Sequence, residues 1–172
     1  GEQKLHFRQL FKIAELLGFN SSCIHTWFGL VRLPEGKMST REGRVILLDD
    51  VLQEAIHRAS ALLKDRDMSD DDKDRIAHII GIGAVKYADL SQNRTRDIVF
   101  DWDRMLSMDG DSAPYLQYAY VRIQSILRKA EGFDPMFVNG GTLTDETEHL
   151  LVKKLALFPD AIRKSAAQHM PH

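Results

Sequence analysis

The helical spacing of apolar residues is the feature that most constrains the fold of this chain. The longest pattern begins at Ser112, a residue type that caps helices, has Pro114 in its first turn and ends at Gly132. Its apolar stripe consists of Leu116, Ala119, Ile123, Ile126, Leu127 and Ala130. A stripe of this length predicts an amphipathic helix that buries one face against other elements.

Further segments carry the start and stop signals of helices, so the sequence predicts a mainly α fold. Gly81 and Gly83 each weaken a helix by about 1 kcal/mol relative to alanine, and we expect them to permit close packing with another element. The acidic stretch after Ser69 suits the positive end of a helix dipole. The predicted helices are Lys4–Leu17, which Gly18 ends; Asp49–Asp65, which Asp49 caps; Ser69–Leu90; Asp145–Leu157, which Thr144 caps; and a last helix that Pro159 opens.

Two short extended pieces flank a polar loop. Ile24–Leu33 is aromatic and β-branched and ends at Pro34, which predicts a strand, and Arg44–Leu47 predicts a second extended piece. The loop Lys37–Gly43 carries two cations and a hydroxyl pair. We expect it to be mobile, solvated and able to bind a polyanion; a charged surface hairpin is the alternative.

Composition narrows the classes of function. The chain has 172 residues and a formal charge of −2, which argues against a general nucleic-acid coat but not against a local basic face. The single cysteine, Cys23, excludes an intrachain disulfide, and without a long apolar span or signal peptide we expect a cytosolic protein with no membrane association. Cys23 and His25 are too few ligands for zinc, so we predict a buried thiol and no metal site.

Five segments together resemble the arginyl-tRNA synthetase family of class I aminoacyl-tRNA synthetases. One of them is similar to the lysine-methionine-serine-lysine-serine loop that clamps ATP phosphates in class I enzymes. The segments are Gln3–Phe7, Lys37–Gly43, Ala84–Arg94, Phe100–Leu106 and Ala113–Arg122. The resemblance implies three regions: the end of a Rossmann-like α/β catalytic domain with short strands (residues 1–68), a helical stem-contact region (69–107) and the start of a helical anticodon-binding domain (108–172).

The same resemblance implies an activity. The family joins L-arginine to its tRNA through an arginyl-adenylate, using ATP and Mg²⁺, and the resemblance implies a monomeric, cytoplasmic parent enzyme. The family's amino-terminal tRNA-contacting domain and histidine-rich signature are missing, so we expect a fragment that is inactive in isolation. The alternatives are a stand-alone helical tRNA-binding or RNA-binding module without catalysis and a helical protein-interaction domain with no nucleotide role.

The resemblance also assigns roles to particular residues. Lys37 and Ser39 match the first lysine and the serine of the loop motif, and Thr40 stands where the family has its second lysine, so Arg41 is the expected substitute cation. The expected catalytic residues are Lys37, Ser39 and Arg41, the expected ATP-binding residues are Lys37, Met38, Ser39, Thr40 and His6, and Gln3 is expected to bind arginine. An ordinary amphipathic helix start is the alternative for Gln3 and His6.

Arginines and aromatic residues later in the chain are candidates for contact with tRNA. Arginine side chains bind phosphates and aromatic rings stack on bases. The expected tRNA-binding residues are Arg94, Tyr115, Gln117 and Arg122, and Trp102 and Tyr118 are expected to pack between domains. Asp101 and Asp103 could form a carboxylate pair for acid–base chemistry, but the favoured interpretation is that they cap a helix or pair with neighbouring arginines.

Overall fold

The computed structural model describes residues 3–32, 47–130 and 141–172, and within them the fold is mainly helical as predicted. The elements are α1 (Lys4–Leu16), β1 (Val31–Arg32), α2 (Leu48–Leu63), α3 (Asp70–Leu90), β2 (Ile98–Val99), α4 (Trp102–Met105), α5 (Ala113–Lys129) and α6 (Glu146–Gln168). β1 and β2 pair in parallel, with Val31 opposite Ile98 and Arg32 opposite Val99. None of the helices in these ranges is both long and apolar enough to cross a bilayer.

Small residues bring α2 and α3 into close contact. Ala55, Ala59 and Ala77 are fully buried, and a Cβ added at Gly81 would lie 2.7 Å from the amide nitrogen of Ile56 in α2. No side chain larger than hydrogen fits at that point, so the predicted role of Gly81 in close packing is confirmed. The first hydrophobic cluster forms here, from Ala59, Leu63 and Ala77 with Ile56, Ile76 and Ile80 packed against it.

The predicted N-terminus of α3 is confirmed in detail. The Oγ atom of Ser69 accepts a hydrogen bond from the amide of Asp72 at 3.1 Å, and three aspartates occupy the first turn. The pKa of Asp72 is lowered, first by the side-chain hydrogen bond from Arg75 and then by the one from Ser69.

A second hydrophobic cluster joins α3, α4 and α5 through Ala84, Met105 and Ala113. Asp101 caps α4, because its Oδ1 accepts hydrogen bonds from the amides of Asp103 and Arg104, both at 3.1 Å. The cap interpretation of Asp101 is therefore confirmed. Ser112 caps α5 as predicted, with Pro114 in the first turn.

Two predictions near the start of the chain were wrong. Of the described part of the predicted strand, residues 24–32, only Val31–Arg32 is a strand, because its partner β2 is two residues long. Leu33 and most of the second predicted extended piece, Arg44–Leu47, lie outside the described residues. α2 begins at Leu48, and Asp49 lies inside the first turn rather than capping it. The backbone carbonyl of Leu47 accepts from the amide of Val51 at 3.2 Å, so the turn closes without a side-chain cap.

α6 also differs from its prediction. Asp145, not Thr144, is the N-cap: its carboxylate accepts from the amide of Thr147 at 2.7 Å and forms a capping box with Glu148. The helix continues through Pro159 to Gln168 instead of ending at Leu157. The fixed φ of proline is itself helical, so a helix can pass through it when other contacts offset the lost hydrogen bond and the crowding by its ring.

The outer helices leave their apolar faces uncovered within the described ranges. α1 and α6 contain no buried residue, and α5 buries only its first turn. Cys23 is exposed, so the prediction of a buried thiol was wrong. The segment that contains it has no regular secondary structure and no helix packed over it to shield the sulfur.

Candidate functional site

Two irregular segments, residues 25–32 and 93–100, lie side by side and form what we call the junction. The amide of Gly29 donates to the carbonyl of Arg94 at 2.7 Å, the amide of Ile98 to Leu30 at 2.9 Å, and the amide of Phe100 to Arg32 at 2.8 Å. These bonds extend the β1–β2 pairing in both directions. The junction therefore fixes the backbone up to Arg32, after which the segment with the predicted phosphate-binding loop begins.

Asp97 anchors the junction with its side chain. Its Oδ1 accepts from the amide of Leu30 at 3.0 Å, and its Oδ2 accepts from Nε of Arg32 at 2.9 Å and also from an Nη of the same guanidinium. Both partners are partly exposed, so the ion pair contributes modestly to stability. Its effect is geometric: it fixes the side chain of Arg32.

Gly29 allows the two segments to approach. A Cβ at this position would lie 2.0 Å from the carbonyl oxygen of Arg96 and 2.8 Å from the amide nitrogen of Asp97. These are backbone atoms and cannot rotate away. Only glycine therefore permits the hydrogen bonds of the junction.

The first turn of α1 packs against the junction through aromatic contacts. The ring of Phe7 stacks on His25, with centroids 4.1 Å apart and planes at 15°. The ammonium of Lys4 lies 3.2 Å from the centre of the Trp27 ring, a cation–π contact. Gln3 precedes Lys4 and His6 precedes Phe7 in the chain, and both Gln3 and His6 are exposed. The predicted substrate-binding residues therefore lie on a turn held beside the junction.

The predicted catalytic and phosphate-binding residues lie outside the described ranges. They are Lys37, Met38, Ser39, Thr40 and Arg41. The residues on either side, Arg32 and Leu47, are placed. Their roles stay predictions.

A cavity of about 970 Å³ opens beneath the junction, between the strands and α2, α3 and α4. The residues that line it include Val31, Leu48, Tyr87, Phe100 and Trp102. Its walls are mainly apolar, and its volume lies at the upper end of the range for small-molecule sites.

The four predicted tRNA-binding residues separate into two pairs. Tyr115 and Arg122 lie on one exposed face of α5 together with Tyr118, and the guanidinium of Arg122 is 6.0 Å from the Tyr118 ring. Tyr118 is 48% exposed, so within the described structure it does not pack between domains as expected. Trp102 is half-buried, edge-on to Phe100 at 4.7 Å and with Arg58 over its ring.

The other two residues are Gln117 and Arg94. The side chain of each hydrogen-bonds to backbone carbonyls elsewhere in the chain. Nε2 of Gln117 donates to the carbonyl of Ile79 in α3 at 3.2 Å, and its buried Oε1 has no hydrogen-bond partner among the described residues. Nη1 of Arg94 donates to the carbonyl of Trp27, and its Nε donates to the carbonyl of His169 at 2.8 Å. Their binding to tRNA stays a prediction; Nε and Nη1 of Arg94 and Nε2 of Gln117 each donate to a backbone carbonyl within the chain.

Sequence reasoning did not single out His25, Trp27, Gly29 or Asp97 as site residues. Glycine within an aromatic, β-branched run is a signal of close backbone approach, and it was present at Gly29. No comparable signal marks Asp97 or His25. Within residues 3–32, 47–130 and 141–172, no group of three or more histidine, cysteine or acidic side chains could hold a metal ion.

The chain matches two family models, one before and one after residues 103–115. The family model "tRNA synthetases class I (R), catalytic domain" matches residues 1–102, and the model "DALR anticodon binding domain" matches residues 116–172. The first therefore contains the junction, and the second contains most of α5 and all of α6. This combination defines a class of protein: a class I tRNA synthetase with an anticodon-binding region.

Individual relatives agree with both matches. The chain is 43% identical to arginine–tRNA ligase of Halothermothrix orenii over 99% of its own length and 30% of that protein, and 43% identical to arginine–tRNA ligase of Fusobacterium nucleatum over 99% of its length and 31% of that protein. The chain belongs to the arginyl-tRNA synthetase family. It spans about 30% of the length of the relatives it matches.

Two solved structures of arginyl-tRNA synthetases superpose on this chain. Arginyl-tRNA synthetase of Thermus thermophilus superposes with a TM-score of 0.68 at 30% identity, covering 84% of this chain and 24% of that one. The enzyme of Plasmodium falciparum superposes with a TM-score of 0.72 over 96% of this chain and 29% of its own, at 24% identity, and shows the fold alone.

Proposed function

We propose that this chain is part of an enzyme that ligates L-arginine to its tRNA. One observation carries the proposal: the 43% identity to an arginine–tRNA ligase extends over 99% of the chain and so includes both family matches. In the first step, the arginine carboxylate attacks the α-phosphate of ATP, giving arginyl-adenylate and pyrophosphate. In the second, a ribose hydroxyl of the tRNA takes the arginyl group and AMP leaves. We propose a cytoplasmic, monomeric parent enzyme.

The junction supports the assignment of substrate residues. Its backbone bonds hold the base of the segment with Lys37, Ser39 and Arg41, and its aromatic contacts hold the turn with Gln3 and His6. The amide of Gln3 can donate to or accept from arginine, and His6 can stack on or bond to ATP. The loop cations would neutralise the phosphates, with Mg²⁺ arriving bound to ATP.

A replacement experiment tests this proposal. The 172 residues are substituted for the matching segment of Halothermothrix orenii arginine–tRNA ligase, and the chimaera is assayed for pyrophosphate exchange and for charging of tRNA with arginine. We expect activity that is selective for arginine over lysine, and Gln3→Ala should raise the KM for arginine roughly tenfold. Gln9→Ala, on the same exposed helix, is the matched control and should change little.

A folded chimaera that binds tRNA but charges none would contradict the proposal. Far-ultraviolet circular dichroism and thermal melting establish whether it folds. The 172-residue chain on its own is expected to show no pyrophosphate exchange.

The second candidate is a helical RNA-binding module without catalysis. The exposed face of α5 with Tyr115, Tyr118 and Arg122 favours it, because aromatic and basic side chains in such a row suit unpaired bases and phosphates. If this candidate is correct, the chain alone binds tRNA with an affinity that falls steeply with salt, and the chimaera stays inactive.

A further inference from the structure

Arg94 lies in the junction, and its side chain bonds both to Trp27, on the other junction segment, and to the end of α6. Its Nη1 donates to the carbonyl of Trp27 and its Nε donates to the carbonyl of His169 at 2.8 Å. These carbonyls belong to the two different regions that the family models match, residues 1–102 and 116–172. A guanidinium can serve both because its donors are fixed in a rigid planar fork.

A tight turn holds the backbone of Arg94. Oδ1 of Asn93 accepts from the amide of Thr95 at 2.9 Å and from its hydroxyl at 2.7 Å. The carbonyl of Arg94 in turn accepts from the amide of Gly29 at 2.7 Å. The residue is therefore fixed at its backbone as well as at its side chain, which lowers the entropy that its side-chain bonds must offset.

The carbonyl of His169, which accepts the bond from Nε of Arg94, also has a defined position. α6 ends in a Schellman motif, in which the amide of Met170 donates to the carbonyl of Ser165 at 3.0 Å and that of His169 to Ala166 at 3.3 Å. His169 has a φ of 53°, the left-handed conformation that this motif needs. In this conformation the carbonyl of His169 accepts the bond from Nε of Arg94.

Trp27 continues the connection to the substrate-binding turn. Its carbonyl accepts a hydrogen bond from Nη1 of Arg94, and its ring lies beneath the ammonium of Lys4. Lys4 directly follows Gln3 in the chain. The geometry points to Arg94 as a positioning residue: it ties the end of α6 to the turn that carries Gln3 and His6. The statement about substrates rests on the proposed function, whereas the tie itself does not.

Amide hydrogen exchange on the 172-residue chain tests the tie without any ligand. Arg94→Ala should raise exchange at the amides of Phe7 and Met170 roughly tenfold, the effect of losing hydrogen bonds from a charged donor. Exchange in α2 and α3 should stay unchanged. Two outcomes would overturn the inference: no change at Phe7 and Met170, or an equal increase throughout α2 and α3, which would indicate a general loss of stability.

Two further variants separate the tie from direct contact with RNA. Arg94→Lys keeps the positive charge but loses the fork, so we expect it to behave like Arg94→Ala; a phosphate contact would survive it largely intact. His169→Gly is the matched control, since the accepting carbonyl remains and glycine adopts the left-handed conformation readily. It should leave exchange at Phe7 unchanged.

The chimaera supplies the functional result. There, Arg94→Ala should raise the KM for arginine several-fold while the Kd for tRNA and its dependence on salt stay constant. A weaker tRNA affinity with a smaller salt slope, and an unchanged KM for arginine, would show a phosphate contact and overturn the inference. An inactive wild-type chimaera, combined with the expected exchange pattern, would count against the proposed function and leave the tie standing.

Discussion

At the scale of single residues, the junction depends on features that are chemically unrelated. Gly29 permits the approach of two backbones, Asp97 binds Leu30 and Arg32, and Phe7 stacks on His25. None of these residues is expected to react with a substrate. They place the residues that are, and a change at any of them should alter the site through its geometry.

Gly29→Ala should be the most disruptive small substitution in the junction. Its new methyl group would overlap the carbonyl of Arg96, so the two segments must separate, and we expect a loss of about 1–3 kcal/mol in the free energy of unfolding. Urea denaturation measures this. Gly141→Ala is the control, because nothing lies within 4 Å of its added Cβ. Equal stability of the two variants would show that the junction is looser than described.

At the scale of elements, local chemistry determines where the helices begin. Ser69, Ser112 and Asp145 each accept a backbone hydrogen bond at the start of their helices, α3, α5 and α6. α6 depends most on such local bonds, since it passes through Pro159 and buries no residue within the described structure. Its first turn should therefore respond to the ionisation of its cap.

The pKa of Asp145 is lowered from 3.8, first by the side-chain hydrogen bond from Thr147, so the folded state prefers the ionised cap. Its contribution to stability is complete above that value and is lost as the pH falls through the lower folded pKa. We expect exchange at the first-turn amides of α6 to increase, beyond the intrinsic rate, as the pH falls below about 4. Asp145→Asn still caps but does not titrate, and should remove this dependence. If Asp145→Asn and the unsubstituted chain show the same pH response, the response comes from another titrating group.

These local signals also explain what could be predicted from the sequence. The positions of α3 and α5 were predicted closely because the acidic first turn of α3 and the cap of α5 lie within or beside the elements themselves, whereas burial of the apolar stripe of α5 was not found in the described structure. β1 and β2 were not predicted closely, since a parallel pair of two residues each depends on a partner far away in the chain. The inward orientation of Arg94 and Gln117 was also missed: an arginine suits a phosphate and a carbonyl equally well, and only the packing decides between them.

At the scale of the whole molecule, the buried core of the described residues lies in the middle of the chain. Both hydrophobic clusters lie on α2–α5, whereas α1 and α6 carry large exposed apolar side chains such as Leu5, Leu16, Leu155 and Phe158. Stability should therefore be distributed unevenly along the chain.

Hydrogen exchange should show this distribution directly. We expect the amides of α2 and α3 to exchange slowest and those of α1 and α6 to exchange faster by several orders of magnitude, because neither outer helix has a buried residue within the part of the chain that the structure describes. Dilution of the sample is the control for self-association. Protection of α6 as strong as that of α3 would mean that its apolar face is covered in solution.

The pairing of β1 with β2 also has a consequence for the order of folding. It joins parts of the chain that are 67 residues apart, as the bond from Leu30 to Asp97 shows. Closing a flexible chain of that length costs on the order of 4 kcal/mol of entropy before any contact is gained. Prior formation of the α2–α3 pair, which relies on short-range contacts, would shorten the span to be closed. The junction, and with it the base of the segment with the predicted phosphate-binding loop, is therefore expected to assemble late, after the helices between its two strands.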